Sequence, residues 1–409
     1  MGKTQPKLRF PEFKSSWFEH KLSDFLTFKN GINASKESYG KGYKFINVLD
    51  IIQNDFITHE KIIGSVEIDE KEFRKNIVEY GDVLFQRSSE TREEVGQANV
   101  YLDKDIPATF GGFVIRGKRK ADYIPEYINA LLKTSRSRKE ITSKSGGSTR
   151  YNIGQETLSE VVIYTTEIPE QQKIATFLTS IDQRIQLLEK KKAKLEAYKK
   201  GVMQQIFSQE VRFKDENGKN YPDWEEKKLG DVLKLKNGYA FKSSSYNDNG
   251  DFKIITISNV QNGILDTKNC NKVNSVPSDI QKHQQLAIGD LLVSLTGNVG
   301  RIAQVNIENC LLNQRVGKLE VHNAERNFIF HVLRDTRFIS KMISLAQGGA
   351  QPNLGKSDIE LYQIKLPSVK EQQKIAKFLS SIDKNIAQIT QQIEMSKSFK
   401  KGLLQKMFV

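Results

Sequence analysis

The chain has 409 residues, of which 38% are hydrophobic and 27% are charged, and its formal net charge is +14. This length predicts two to three domains, and the charge favours a polyanionic partner, usually nucleic acid or sometimes a membrane surface. Cys270 and Cys310 fit no disulfide framework or zinc spacing, which excludes the disulfide-rich secreted class. With no membrane-length apolar run and no signal-peptide core, we expect a cytoplasmic protein.

The first region, residues 1–166, has the pattern of a mixed globular domain. Residues 45–49 and 82–85 resemble strands, and the second of these starts from a Gly-Asp turn. Residues 127–132 have helical spacing, and residues 161–164 form a short strand that closes the region. We therefore expect an α+β domain with a strongly curved or barrel-like sheet.

Residues 167–207 predict one long helix. Its apolar positions recur with alternating spacings of four and three residues, which places them on one face. A sustained seven-residue repeat of this kind indicates a partner helix. Lysines interrupt one column at Lys192 and Lys199. The predicted pairing face consists of Ile174, Leu178, Ile181, Ile185, Leu188, Leu195 and Val202.

The second half repeats the first. Residues 208–366 repeat the pattern of the first domain, and residues 367–409 repeat the pattern of the long helix. Ile375 matches Ile174 at an offset of 201 positions. Two helices with apolar faces are expected to bury them against each other. The alternative is that each helix docks separately on its own domain. The second face comprises Ile375, Leu379, Ile382, Ile386, Ile389, Ile393 and Leu403.

The motifs of catalysis that we sought are missing from the sequence. The loops of adenine and cytosine methyltransferases are not found, and Gly349 to Gly355-Lys356-Ser357 has one residue too many for a P-loop. The histidines form no close metal-ligand pair. We predict a chain without catalytic or metal-binding residues. Two alternatives stay open: a self-sufficient nuclease with an unfamiliar site, and a coiled-coil interaction scaffold that binds no specific DNA sequence.

Polar and basic residues near glycines are the candidates for DNA contact. Thr296-Gly297-Asn298 follows a strand directly, so that its backbone could approach DNA closely and Asn298 could meet a base edge. For each basic cluster a solvated surface is an equal alternative, and for each glycine loop a structural turn. The candidates are Arg87, Arg92, Lys118, Arg119, Thr149, Arg150, Thr296, Asn298, Arg301, Asn313, Gln314, Arg315, Gln351 and Asn353.

The whole chain resembles the specificity subunit of a type I restriction–modification system. The resemblance rests on Glu170-Gln171-Gln172-Lys173-Ile174-Ala175 and its copy that starts at Glu371, each of which opens a long helix after a short strand and a proline. It also rests on Gly289-Asp290-Leu291-Leu292 leading into Thr296-Gly297, and on the two glycine loops. The first half departs from the pattern at residues 87–92, which lack the Thr-Gly pair.

The resemblance implies a non-catalytic subunit with two pseudo-repeated target-recognition domains, residues 1–166 and 208–366. Each domain would read one half of a bipartite, asymmetric double-stranded DNA target. The helices, 167–207 and 367–409, would pair as a long antiparallel coiled coil that spaces the domains and docks two modification subunits. Those subunits would carry the methyl donor and methylate adenine. Restriction subunits would add an ATP- and magnesium-dependent endonuclease, all in a bacterial or archaeal cytoplasm.

Overall fold

The computed structural model describes residues 5–346 and 353–409, which form two compact units. The first unit contains the chain up to Glu189 together with Gln391–Val409, and the second unit is Lys190–Thr390. Each long helix therefore contributes one part of its length to each unit. The four-part division expected from the sequence stays a prediction.

The first unit holds short helices and strands followed by half of a long helix. Its helices are α1 Leu22–Phe25, α2 Val48–Gln53, α3 Glu70–Lys75, α4 Pro125–Leu132, α5 Ser135–Ser143, α6 Gln155–Ser159 and the start of α7 Ile168–Phe207. Its strands are β1 Phe18–Lys21, β2 Leu26–Asn30, β3 Tyr39–Ile46, β4 Ser65–Val66, β5 Val83–Gln86, β6 Ser88–Ser89, β7 Ala98–Val100, β8 Thr109–Phe110, β9 Val114–Arg119, β10 Tyr151–Asn152 and β11 Val162–Thr165.

Several small sheets make up the strand part of the first unit. The largest has the order β2-β9-β5-β7, and a second has the order β4-β3-β8, while β1 pairs with β11 and β6 pairs with β10. One hydrophobic core lies between the larger sheet, α4 and the first turns of α7, and it includes Trp17, Tyr127 and Ile174. Phe408, near the C-terminus, packs edge-on against Trp17 with ring centroids 6.0 Å apart.

The second unit repeats this plan. Its strands are β12 Glu225–Lys228, β13 Leu233–Asn237, β14 Phe252–Ile255, β15 Val260–Gln261, β16 Ile264–Leu265, β17 Asn271–Val273, β18 Gln285–Leu286, β19 Leu291–Ser294, β20 Ile302–Gln304, β21 Cys310–Leu312, β22 Val316–Val321 and β23 Gln363–Leu366. Its helices besides part of α7 are α8 Arg326–Val332, α9 Thr336–Ala346, α10 Lys356–Glu360 and the start of α11 Val369–Lys406.

Sheets of the second unit have the orders β13-β22-β19-β20 and β17-β14-β21-β18, and β12 pairs with β23. The main core lies between the first of these sheets, α8, α9 and the long helices, and it includes Phe328, Phe338 and Leu379. Because β19 is buried along its whole length, its sequence does not alternate: Leu291, Leu292 and Val293 are consecutive apolar residues, and Ser294 follows them.

Most predicted elements are confirmed, including both closing strands, α4, α8 and the two strands that follow Gly-Asp turns. Gly81 and Gly289 adopt φ of 90° and 93°, a conformation that favours glycine. The prediction of a strand through residues 45–49 is wrong at its end, because Asn47 caps α2 and its N–H donates to Asp50 at 2.7 Å. The strands of each domain divide among several small sheets, and the strongly curved or barrel-like form expected for the sheet stays a prediction.

The two long helices are confirmed at 40 residues for α7 and 38 residues for α11. Within the first unit, Lys400 meets Asp182 at 2.5 Å and Lys397 meets Glu189 at 2.7 Å. From the first ion pair to the second, the α7 residue lies nearer the C-terminus of its helix and the α11 residue lies nearer the N-terminus of its own. The buried members of the predicted pairing face are Ile174, Leu178, Ile181, Ile185, Ile375, Leu379, Ile382, Ile389, Ile393 and Leu403. Leu188, Leu195, Val202 and Ile386 are half-buried.

Candidate nucleic-acid interface

Matching loops of the two units occupy equivalent places in the fold. A Cβ on Gly31 would lie 2.1 Å from the carbonyl oxygen of Gly111, and a Cβ on Gly238 would lie 2.1 Å from the carbonyl oxygen of Asn313. Glycine is therefore needed at both contacts, because any other residue would push the loops apart. The equivalence of Gly111 with Asn313 aligns the residues that follow them, residues 112–113 with residues 314–315.

A pair of backbone hydrogen bonds agrees with this alignment. The Arg87 N–H donates to the carbonyl of Phe113 at 2.9 Å, and the Leu295 N–H donates to the carbonyl of Arg315 at 3.0 Å. The carbonyl of Leu295 in turn accepts from the N–H of Leu354. Phe113 in the first unit thus stands where Arg315 stands in the second.

Loop cluster 2, as we name it, consists of Thr296, Asn313, Gln314, Arg315 and Asn353. Thr296 and Asn353 form an antiparallel bridge, and the Asn313 side chain accepts a hydrogen bond from the Arg315 N–H at 3.2 Å. Gln314 and Arg315 are exposed. Because an amide and a guanidinium can each bind a base edge through two hydrogen bonds, this cluster has the chemistry of direct readout.

Loop cluster 1 is its counterpart and consists of Arg87, Ser88, Gly112, Phe113 and Asn152. Ser88 donates a side-chain hydrogen bond to Asn152 across the pair of β6 and β10. The Arg87 guanidinium donates to the carbonyl of Gly112 at 3.3 Å, which positions the loop that carries Phe113. Ser88, Gly112, Phe113 and Asn152 were not among the candidates from sequence, because pairing between distant segments brings them together.

Other predicted contact residues lie elsewhere or have internal partners. Arg92 donates to the carbonyls of Thr142 and Ser143 at the end of α5, and Arg119 donates to the carbonyls of Ala121 and Tyr123. Lys118 lies 3.2 Å from Glu79 near the far end of β9 from Phe113.

The remaining candidates are divided between exposed loops and one internal contact. Arg301 donates to Gln261 at 2.8 Å. Thr149, Arg150 and Asn298 are exposed. Gln351 and most of the second glycine loop lie outside the described residues. Contact of any of the candidates with DNA stays a prediction.

Buried polar contacts hold the start of each long helix on its domain. Arg9 meets both carboxylate oxygens of Glu170 at 2.7 Å, and Arg212 meets those of Glu371 at 3.3 and 3.0 Å. Trp224 adds a hydrogen bond to Glu371 at 3.1 Å. These carboxylates are 1% and 0% exposed. The acidic residue of the repeated motif therefore attaches the helix and is not available to DNA.

The next glutamine of each motif is equally internal. The Gln171 side chain accepts from the Ile124 N–H at 3.1 Å, where α4 begins, and donates to the carbonyl of Thr166. Gln372 accepts from the Glu325 N–H at 2.8 Å, where α8 begins, and donates to the carbonyl of Pro367. Each glutamine thus fixes the short helix against the long one.

A further pair of charged contacts was not predicted, although both carboxylates belong to the repeat. Asp182 meets Lys400 in the first unit, and Asp383 meets Lys199 at 2.5 Å and Arg334 at 2.9 Å in the second. Burial and the nearby Arg334 lower the pKa of Lys199 to about 8. The lysine that interrupts the apolar column of α7 therefore has a specific partner, and the exact return of Asp182 as Asp383 was the signal that could have found it.

The described residues 5–346 and 353–409 contain neither a metal-binding cluster nor a membrane-spanning helix. They hold no group of three or more His, Cys, Asp or Glu side chains placed to bind a metal ion. No helix formed by these residues combines the length and apolar character that a membrane crossing requires.

Residues 14–197 and 221–395 match the family described as the type I restriction modification DNA specificity domain. The chain belongs to this family. It carries two copies of the domain, and each copy contains one of the loop clusters and the start of one long helix. The type I restriction enzyme MjaIX specificity subunit of Methanocaldococcus jannaschii is 26% identical over 412 residues, which cover 96% of this chain and 92% of that protein.

Two solved structures share the fold of this specificity-domain protein. The S subunit of a type I restriction–modification system from M. genitalium aligns with a TM-score of 0.60 at 16% identity, over 99% of each chain. A chain from a study of complex assembly and conformational transition in a type I system aligns with a TM-score of 0.55 at 16% identity, over 96% of this chain and 97% of that one. The match of residues 14–197 and 221–395 to the family model confirms the predicted family.

Proposed function

We propose that this specificity subunit directs a type I restriction–modification complex to a bipartite, asymmetric DNA target, with each globular domain reading one half. The observation that carries the proposal is the contrast within the repeat. The contacts that attach the helices are alike, whereas Gln314 and Arg315 of loop cluster 2 are replaced by Gly112 and Phe113 in loop cluster 1. Two domains that share a fold but carry different exposed loops suit a protein that recognises two different half-sites.

We further propose that the long helices pair as an antiparallel coiled coil, set the spacing of the half-sites and dock two modification subunits. The opposite course of the ion pairs of Asp182 and Glu189 with α11 supports this pairing. The methyl donor, ATP and magnesium would be bound by the modification and restriction subunits, in the cytoplasm of a bacterium or archaeon, and this chain would contribute no catalytic residue.

The decisive experiment is co-expression of the chain with candidate modification subunits, followed by sequencing of methylated adenine in the host DNA. We expect one split motif, methylated once in each half, in cells that hold the complex. An exchange of residues 1–165 for those of a relative should change one half of the motif and leave the other. A stable complex that adds no methylation, or an exchange that alters both halves, would contradict the proposal.

The spacing role has its own test. One heptad adds about 10.5 Å to a helix, and a base pair rises about 3.4 Å, so a heptad inserted in both helices should widen the gap by up to about three base pairs. Insertions after Lys192 and after Gln391 keep the apolar repeat in register. A single insertion in one helix is the control and should abolish methylation, because the two apolar faces would no longer match. An unchanged gap with both insertions would refute this role.

A further inference from the structure

The loop at Phe113 exposes an aromatic ring beside glycines. Phe113 is 65% exposed, and its neighbour Gly112 packs against Asn33, whose side-chain oxygen lies 1.9 Å from where a Cβ on Gly112 would stand. The loop is fixed by the hydrogen bonds of Arg87 to the carbonyls of residues 112 and 113. A large apolar side chain is thus presented on a well-positioned loop, which is typical of a contact surface.

Beside this loop lies a cavity of about 500 Å³. Its lining mixes glycine backbone and polar groups with apolar side chains, and the side chains that matter here are Asn33, Tyr39, Phe45, Asn47, Ile63 and Phe113. Ile63 is 86% exposed, so two apolar side chains of this lining project to the surface. A small apolar group that entered this cavity would lose its hydration, and the amides of Asn33 and Asn47 would lie near it.

The chemistry of the two loop clusters is different at matched positions. Gln314 and Arg315 offer donors and acceptors suited to adenine and guanine. Gly112 and Phe113 offer no side-chain hydrogen bond. The apolar feature that DNA presents in the major groove is the C5-methyl group of thymine, which contacts apolar side chains in direct readout.

We propose that Phe113, with Ile63, reads the C5-methyl group of a thymine in the half-site of the first domain. This inference rests on the proposed function and adds the chemical class that the domain recognises. Loop cluster 1 thus selects by apolar contact, and loop cluster 2 selects by hydrogen bonds. Phe113 is accordingly a specificity-determining residue for the first half-site.

The test removes the methyl group alone. The complex with its modification subunits is titrated with duplexes of the methylated motif in which each thymine, one at a time, is replaced by deoxyuridine. Burial of one methyl group contributes about 0.8 kcal/mol, so one replacement should weaken binding about four-fold. With Phe113→Ala the same replacement should have no effect, because the contact is already lost, and Phe113→Leu should retain part of it.

The matched control is Ile264→Ala, which removes an equally exposed apolar side chain, 65% exposed, from the second unit. It should leave the deoxyuridine effect at the first half-site unchanged. Binding that ignores every thymine methyl, or a deoxyuridine effect that persists in full in Phe113→Ala, would overturn the inference and leave the bipartite target intact. A wild-type complex without any sequence preference would instead overturn the proposed function, and this inference with it.

Discussion

Asp182 and Asp383 hold the same position in the repeat, yet their carboxylates have different electrostatic surroundings. Asp182 faces Lys400, and burial raises the pKa of its carboxyl above the ordinary value. Burial also acts to raise the pKa of Asp383, but Arg334 and Lys199 outweigh it and hold the pKa below the ordinary value. In the first unit, Lys133 takes the position of Arg334 and donates instead to the carbonyl of Asp55 at 3.0 Å.

The different partners of Asp182 and Asp383 show how the two copies of the repeat have diverged. One exchange of arginine for lysine changes the number of cations on a carboxylate, because the longer guanidinium reaches it and supplies several donors. The attachment of each helix by Glu170 and Glu371 is kept. The two units therefore differ by single contacts at the long helices. At the loop clusters they differ in most of the exposed side chains, and Phe113 stands in the place of Arg315.

The largest expected effect comes from neutralising the two aspartates. Asp383→Asn should destabilise the second unit by about 3 kcal/mol, because Lys199 and Arg334 would be left partly buried without a counter-charge. Asp182→Asn should cost the first unit about 1 kcal/mol at most, since burial already disfavours the anionic form of this carboxylate. Trp17 and Trp224 lie one in each unit, so urea unfolding of single-tryptophan backgrounds follows each unit separately.

Equal losses for the two aspartate variants would show that the second cation contributes nothing to the second unit. Arg334→Lys sharpens the comparison, because it gives the second unit the residue that the first unit has. We expect it to bring the cost of Asp383→Asn close to that of Asp182→Asn.

A smaller effect should appear with pH. The pKa of Lys199 is about 8 in the folded second unit against an ordinary 10.5, so the folded state releases its proton first and the unfolded state binds more protons between these values. The contribution of Lys199 to the free energy of unfolding of the second unit should therefore rise by about 2 kcal/mol between pH 7 and pH 9.5, while the Cys270 and Cys310 thiols, whose pKa burial raises, act in the opposite direction. Urea unfolding followed at Trp224 measures it.

Lys199→Met is the control for this rise, because it removes the titrating group and keeps an unbranched apolar stem. The variant should show no increase over the same range. His331 lies close by, but its pKa is lowered to about 3 by burial and by Lys199, so its imidazole stays neutral throughout. An equal pH dependence of stability in the wild type and in Lys199→Met would contradict the assignment.

A smaller effect again is expected at loop cluster 2. Arg315→Ala should reduce discrimination at one base pair of the second half-site by about 1 kcal/mol, because an arginine that binds guanine in two places supplies that preference. Binding of the complex to single-base variants of the motif measures it, and thermal unfolding should be unchanged since Arg315 is exposed. A uniform loss for all sequences would place Arg315 on phosphate rather than on a base.

The sequence predicted the long helices well, because apolar spacing and helical geometry are both local. Their bounds, Ile168–Phe207 and Val369–Lys406, agree closely with the expected 167–207 and 367–409. The strand through residues 45–49 was predicted less well, since the cap of Asn47 on α2 competes with strand propensity. The role of Glu170 was missed because its partner, Arg9, is far away in the chain.

By itself the sequence determined the family, the repeat and the apolar faces of the helices, since these depend on residue types at fixed spacings. Tertiary structure decided which polar residues are available to a partner. Arg92 and Arg119 bind carbonyls of their own domain, whereas Arg315 and Phe113 are exposed on equivalent loops. The physical reason is that hydrogen-bond partners and burial come from segments distant in sequence, and a buried or paired charge is not free to bind DNA.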